Sequence, residues 1–233
     1  MNAANIGRIA EIVLGPLGFS RRLPQGSGGG LIRVSSRVGG LKYLFKASDR
    51  WDPELLDIAG TLVSRNDSVW DVGANVGLFS KAAAFHAGTQ GIVLSIEADF
   101  DVIALLHATA RRSSESEAKM TVLPVEIADR QGVLSFAIAR RARAANAIEE
   151  FGSTQTGGGV SEVRTLPCMT LDSLLSHLPA PDVLKIDVKG AEILVLNGAK
   201  QILEQARPKV YCEVLAKTRE QVCELFEGFG YVV

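Results

Sequence analysis

The sequence predicts a doubly wound, mostly parallel α/β sheet with helices on both faces, preceded by a small N-terminal β-hairpin. Three observations predict it. From residue 68 onward, apolar runs of strand length alternate with longer segments of helical periodicity, the order of a sheet wound by crossover connections. One of those runs, Val69 to Val72, passes through a glycine-containing turn straight into a helical pattern. Acidic residues also recur where strands end: Asp71, Glu97, Asp187 and Glu213. At 233 residues, 47% hydrophobic and 22% charged, the chain is long enough for one well-buried core with an appendage. The expected division is an arm and hairpin over residues 1–50 and one main domain over 51–233.

The elements follow in order. Residues 1–30 carry Pro16, Pro24 and the QGSGGG stretch from Gln25 to Gly30, which reads as a loosely attached arm. Leu31 to Phe45 has two short alternating runs separated by Gly39-Gly40, a hairpin signal. Pro53 opens a helix through Val63 with Asp52 as its N-cap. The strands expected next are Ser68 to Val72, Ile92 to Ile96, Thr121 to Val125, Val183 to Ile186, Val210 to Val214 and Tyr231 to Val233. Between them lie helices at Leu78 to Ala87, Val102 to Arg112, Ala191 to Gln205 and Arg219 to Gly228. An additional strand, Val133 to Ala139, and a short helix, Leu171 to Leu178, fall within an insertion that also holds a glycine-rich loop, Gly152 to Gly159.

Composition excludes several function classes. The net charge of −1 gives no field that attracts nucleic acid or an anionic membrane, so neither is expected as a partner. Cys168, Cys212 and Cys223 are an odd number without CxxC spacing, which fits neither a disulfide framework nor structural zinc. No His/Cys cluster has metal-ligand spacing, so no metal is expected. No signal-peptide core or long apolar span is readable, and the expected compartment is cytoplasmic. The histidines, His86, His107 and His177, all fall within predicted helices, away from the strand tips. Arg140, Arg141 and Arg143 read as a solvated charge run, and Asn146 beside them could face a substrate.

The chemistry is concentrated in three blocks. In VWDVGANVGLFS, Val69 to Ser80, the turn through Gly73, Asn75 and Gly77 lets the backbone approach a ligand while a helix N-terminus presents free N–H groups. Asn75 and Leu78 stand where a GxGxxG dinucleotide motif needs its second and third glycines, which disfavours a pyrophosphate reader. Glu97 ends the next strand, 24 positions after Gly73, where a carboxylate accepts from ribose hydroxyls. In DVLKIDVKGAEILVLNGAKQIL a buried strand delivers Asp187 to its carboxyl end. Ligands in such sheets occupy the crevice at the carboxyl ends, so Asp71, Glu97, Asp187 and Glu213 should converge on one rim.

These blocks, DVGANVGLFS, IEAD, ADRQG, TLDSLL, KIDVKGAEILVLNGA and RPKVYCEV, together resemble the FkbM family of S-adenosylmethionine-dependent methyltransferases over roughly residues 65–215. The resemblance implies a class I, Rossmann-like methyltransferase fold, S-adenosylmethionine as cofactor and O-methylation of a hydroxyl on a sugar or small secondary metabolite. It implies that Asp71, Gly73, Asn75 and Gly77 surround the methionine part of the cofactor and that Glu97 holds the ribose. Glu126 or Ala128 would meet the adenine, with Asp129 nearby. Lys189 stands where the family usually carries Glu, and Ala98 where Pro usually follows the strand-two acid. For a hydroxyl acceptor, Asp187 is the expected orienting or deprotonating group, with Glu192 and Glu213 as further candidates. The alternative is a catalytically degenerate Rossmann-like binding or scaffold protein, prompted by the charge reversal at Lys189.

Overall fold

The computed structural model describes residues 18–35, 38, 47, 50–139, 147–148 and 159–233. It begins with an antiparallel hairpin, β1 (Phe19–Arg22) and β2 (Leu31–Val34), in which Phe19 lies opposite Val34. The turn between them is the QGSGGG stretch, where Gly28 and Gly29 take φ of 86° and 61°, values that favour glycine. The described hairpin thus uses the first run expected, Leu31 onward, as its second strand. Residues assigned to a loose arm supply its first strand, while Gly39, Gly40 and the predicted second run lie outside the described residues. Ile32 and Val34 are fully buried, and the backbone N–H of Arg33 donates to Thr109 Oγ1, tying the hairpin to the main body.

Helix α1 (Pro53–Leu62) starts with proline at its first position, and the Asp52 side chain makes no capping bond. The central sheet follows: β3 (Ser68–Val72), helix α2 (Leu78–Ala87), β4 (Ile92–Glu97), helix α3 (Phe100–Ala110) and β5 (Lys119–Pro124). After an insertion the chain returns through β10 (Val183–Ile186) and β11 (Lys209–Cys212), giving a parallel sheet in the order β11-β10-β3-β4-β5. Alternation along the strands separates two cores. Val69, Val93 and Val183 face α1, α2 and the hairpin, whereas Trp70, Leu94 and Leu184 face the C-terminal helices. Burial on both faces accounts for the near-continuous apolar runs in these strands.

The insertion forms a sheet of its own. Its strands are β6 (Glu126–Ile127), β7 (Gly132–Ala139), β8 (Ala147–Ile148) and β9 (Val160–Met169), in the order β6-β9-β7-β8. Sequence reading found only β7. The ten-residue β9 escaped because Pro167 and the exposed Glu162 and Thr165 broke its apolar pattern. Residues 140–146 and 149–158, which include Arg140, Arg141, Arg143, Asn146 and most of the glycine-rich loop, lie outside the described residues.

The C-terminal part contains a short 3₁₀ turn (Asp172–Ser176), β10 (Val183–Ile186), α4 (Glu192–Asn197), a π turn (Ile202–Ala206), β11 (Lys209–Cys212) and α5 (Arg219–Gly228). The helix expected over Ala191 to Gln205 is thus broken at Gly198, whose backbone packs directly on the Ala128 carbonyl. Tyr231 to Val233 is not a strand. Tyr231 N–H donates to the Phe226 carbonyl, its ring packs edge-on against Phe226, and Arg207 stacks over it. Elsewhere boundaries move by one or two residues, as at Lys119–Pro124, Lys209–Cys212 and Phe100–Ala110. Among the described residues no helix is long and apolar enough to cross a membrane.

The sheet order reverses between β3 and β10: the chain winds outward through β4 and β5, then returns to the other side of β3. Crevices at such switch points receive ligands in open α/β sheets. Here the two strands bring the Gly73 turn and Asp187 side by side, with Asp187 N–H donating to the Val72 carbonyl at 3.0 Å.

Candidate active site

A cavity of about 300 Å³ opens at this reversal, at the small end of the range for small-molecule sites. One wall is the turn after β3. Gly73 N–H and Ala74 N–H both donate to the Ile96 carbonyl, at 3.0 and 2.9 Å, and φ is positive at Gly73 (74°), Asn75 (52°) and Gly77 (85°). A Cβ on Gly73 would strike the Asp187 carbonyl oxygen, so only glycine lets the two strand ends meet this closely. Gly77 is needed for a different reason: it packs on Leu106 and Thr109 of α3 and does not line the cavity.

Glu97, at the tip of β4, is built into this wall. Its Oε2 accepts from Asn75 N–H at 2.8 Å, and its Oε1 accepts from Ala98 and Asp99 N–H, both at 2.9 Å. Burial pushes its carboxyl up to about 6, with those three N–H bonds working in the opposite direction. Three of a carboxylate's roughly four lone-pair positions are thereby engaged, leaving one direction on Oε2. Farther along, Glu126, Val125, Ile127 and Phe136 line a second, more apolar stretch. Ala128 and Asp129 do not: Ala128 is buried against Gly198, and Asp129 is paired with Arg130 at the surface.

The opposite wall is charged. Lys189 Nζ lies 2.6 Å from Asp187 Oδ1 and 2.5 Å from Glu213 Oε1, bridging two carboxylates carried by β10 and β11. Burial favours the neutral acid at Asp187, but Lys185 and Lys189 outweigh it and hold the carboxyl below its ordinary range. The same carboxylates raise the Lys189 ammonium above its ordinary value against the pull of burial. Lys189 adopts φ of 51°, so the turn between β10 and α4 holds this cation in a left-handed backbone conformation.

Asp71, expected on the rim, is instead completely buried behind the glycine turn. Its Oδ2 accepts from Ser80 Oγ at 2.5 Å, and its Oδ1 lies 2.9 Å from Lys185 Nζ. Lys185 in turn donates to the Gly73 carbonyl at 2.8 Å. Asp71 thus acts on the cavity through Lys185. Glu192 is also turned away: its oxygens accept from Gly190 N–H at 2.6 Å and from Thr218 Oγ1 at 3.3 Å, bracing the turn that carries Lys189. Sequence reading missed Lys185, Tyr211 and the Asp52–Glu54–Leu55 segment, all of which line the cavity. Lys185 carried a signal, being a lone cation inside the apolar strand VLKI. Tyr211 had none, since aromatic residues in strands are ordinarily packing groups.

The chain matches the methyltransferase FkbM domain over residues 71–233, which contain every one of the predicted site residues. It belongs to the FkbM methyltransferase family. The cofactor of this class is S-adenosylmethionine, and the donor set fits it: a glycine turn, a strand-end carboxylate and an apolar stretch lie in sequence along one cavity. In fold, the protein is similar to an FkbM methyltransferase from Methylobacillus flagellatus KT, with 17% identity, a TM-score of 0.50 and coverage of 74% of this chain. The protein spans only 38% of that structure. A precorrin-6y C5,15-methyltransferase from Geobacter metallireducens also aligns, at 14% identity, TM-score 0.46 and coverage of 82% of this chain and 76% of the other. Fibrillarin from Aeropyrum pernix, solved with natively bound S-adenosyl-L-methionine, aligns at 10% identity, TM-score 0.44 and coverage of 91% and 84%. No curated protein matches the chain.

Proposed function

We propose that this FkbM-family protein is an S-adenosylmethionine-dependent O-methyltransferase acting on a hydroxyl of a sugar or another small metabolite. The observation that carries the reading is the Asp187–Lys189–Glu213 bridge, which faces the glycine turn and Glu97 across one cavity. Glu97 offers its remaining lone-pair direction to a ribose hydroxyl, and the turn from Gly73 to Val76 accommodates the methionine portion. Bound there, the cofactor supplies an electrophilic methyl group on a sulfonium. Asp187 would accept a hydrogen bond from the acceptor hydroxyl and so orient its oxygen. Lys189 has three N–H donors; one is donated to Glu213 Oε1 while the ammonium sits beside Asp187 Oδ1, and a further N–H is available to the acceptor oxygen.

With the cofactor supplying the methyl group, Asp187 would take up the hydroxyl proton of the acceptor and release it to solvent. A carboxylate held below its ordinary range is a weak base, so orientation is its larger contribution; alignment of reacting groups supplies up to about 7–11 kcal/mol of a barrier. The first test is calorimetric titration with S-adenosylmethionine and S-adenosylhomocysteine. Micromolar binding, weakened at least about tenfold by Glu97→Ala, a loss of about 1.4 kcal/mol, supports the cofactor site. No binding by folded protein favours the degenerate scaffold instead. With hydroxylated acceptors in hand, wild-type turnover by Asp187→Asn removes Asp187 from the mechanism.

A further inference from the structure

Two of the glutamates that line the cavity, Glu97 and Glu126, differ in their surroundings. Glu97 accepts three backbone N–H bonds, a set that favours the charged form. Glu126, at the far end of the same cavity, is nearly fully buried, and its carboxyl has only the backbone N–H of Ile127 to support a charge. The groups facing it offer no compensation. Glu97 stands opposite Pro124 on the neighbouring strand, two residues before Glu126, and Asp99 begins the helix after Glu97. Cys168, opposite Glu126 in the β6–β9 register, is a thiol that burial pushes upward, hence neutral. Arg130 is exposed and engaged by Asp129. Among the described residues no cation pairs with Glu126. Burial and the Glu97 charge both disfavour ionisation of Glu126, and with little hydrogen-bond support for a charge it is the carboxyl that keeps its proton.

Around Glu126 the lining is apolar: Ile96, Ala98, Val125, Ile127 and Phe136. A flat heteroaromatic ring fits such a slot, and a neutral carboxylic acid within it carries one O–H donor and one acceptor oxygen. Adenine presents the matching edge, a ring nitrogen that accepts beside an amino group that donates. We infer that Glu126 reads the adenine of S-adenosylmethionine as a neutral carboxylic acid, donating to a ring nitrogen and accepting from the exocyclic amine. This rests on the cofactor reading above and adds the protonation state on which binding depends. Burial first, and the charge of Glu97 second, push the Glu126 carboxyl up to about 8, so the proton is present at neutral pH. Ionised Glu126 loses its donor and faces the ring nitrogen with a like-signed lone pair.

The test is calorimetric titration of wild type, Glu126→Gln, Glu126→Ala and Glu97→Ala with S-adenosylhomocysteine, from roughly pH 6.5 to 9.5. Wild-type affinity should be level up to about pH 8 and then fall about tenfold per pH unit, the slope of one required proton. Glutamine keeps one donor and one acceptor and does not ionise, so the ratio of its affinity to that of wild type should climb above pH 8. Alanine should weaken binding at least about tenfold at neutral pH. Parallel pH profiles for wild type and Glu126→Gln, or undiminished binding by folded Glu126→Ala, overturn the inference. Absence of binding by folded wild type at every pH overturns the cofactor reading and this inference with it. If Glu126→Ala fails to fold, the glutamine comparison still decides.

Discussion

Replacing Lys185 by methionine should destabilise the protein and disable its cofactor turn together. The Lys185 ammonium is 3% exposed and lies 2.9 Å from Asp71, which is 0% exposed. Removing it leaves Asp71 Oδ1 without a counter-charge in the centre of the sheet, while Oδ2 keeps only the Ser80 hydroxyl. Breaking one half of a buried pair costs about 3–5 kcal/mol. For a domain of this size that lowers Tm by roughly 6–20 °C. The Gly73 carbonyl also loses its donor. The assay is chemical denaturation of Lys185→Met, Asp71→Leu and the double variant. The double variant should recover most of the loss, because no uncompensated charge remains, while its affinity for S-adenosylhomocysteine should stay below wild type. A loss under about 1 kcal/mol for Lys185→Met, or additive single effects, would refute the reasoning.

Three further outcomes follow from the same geometry. Lys189→Met removes a cation that holds Asp187 below its ordinary range, so carboxyl NMR should show Asp187 titrating at higher pH; an unmoved titration contradicts the bridge. Gly77→Ala combines a left-handed backbone with a Cβ placed 2.8 Å from Leu106 Cδ1, and denaturant melts should show a loss of roughly 2–5 kcal/mol. Glu126 has a carboxyl raised from 4.5 to about 8, so the folded state holds a proton that the unfolded chain releases, and native stability declines as pH rises through that window. Glu126→Gln escapes the decline. Its Tm advantage over wild type should therefore grow from about pH 5 to about pH 8 and then level off; a constant difference would show that Glu126 is not raised.

The parallel sheet was legible because β3, β4 and β10 are buried on both faces and read as mostly apolar runs, interrupted only by Ser68, Asp71, Ser95, Glu97 and Lys185. The glycine turn was legible for the same local reason: Gly73 and Gly77 answer backbone demands that precede any ligand. An N-terminal hairpin was legible, but a turn at QGSGGG was not, because its docking on α2 and α3 depends on residues more than fifty positions away; Gly39-Gly40 lies outside the described residues. Tyr231–Val233 looked like a strand from composition, but stacking of Tyr231 between Phe226 and Arg207 holds it elsewhere. Within the site, acids at strand ends were easy to find, yet their orientation was not. Asp71 and Glu192 point inward because Lys185, Ser80, Gly190 and Thr218 claim them, and each of those partners except Gly190 lies at least seven positions away in sequence.

The three backbone bonds to Glu97 decide when its freedom is surrendered. A free glutamate side chain gives up about 1.5–2 kcal/mol of rotamer entropy when it is fixed. At Glu97 that loss occurs during folding, since Asn75, Ala98 and Asp99 already immobilise the carboxylate. On the cofactor reading proposed above, an arriving nucleoside would meet an acceptor that has nothing left to freeze, and the affinity it gains there would be undiminished by ordering.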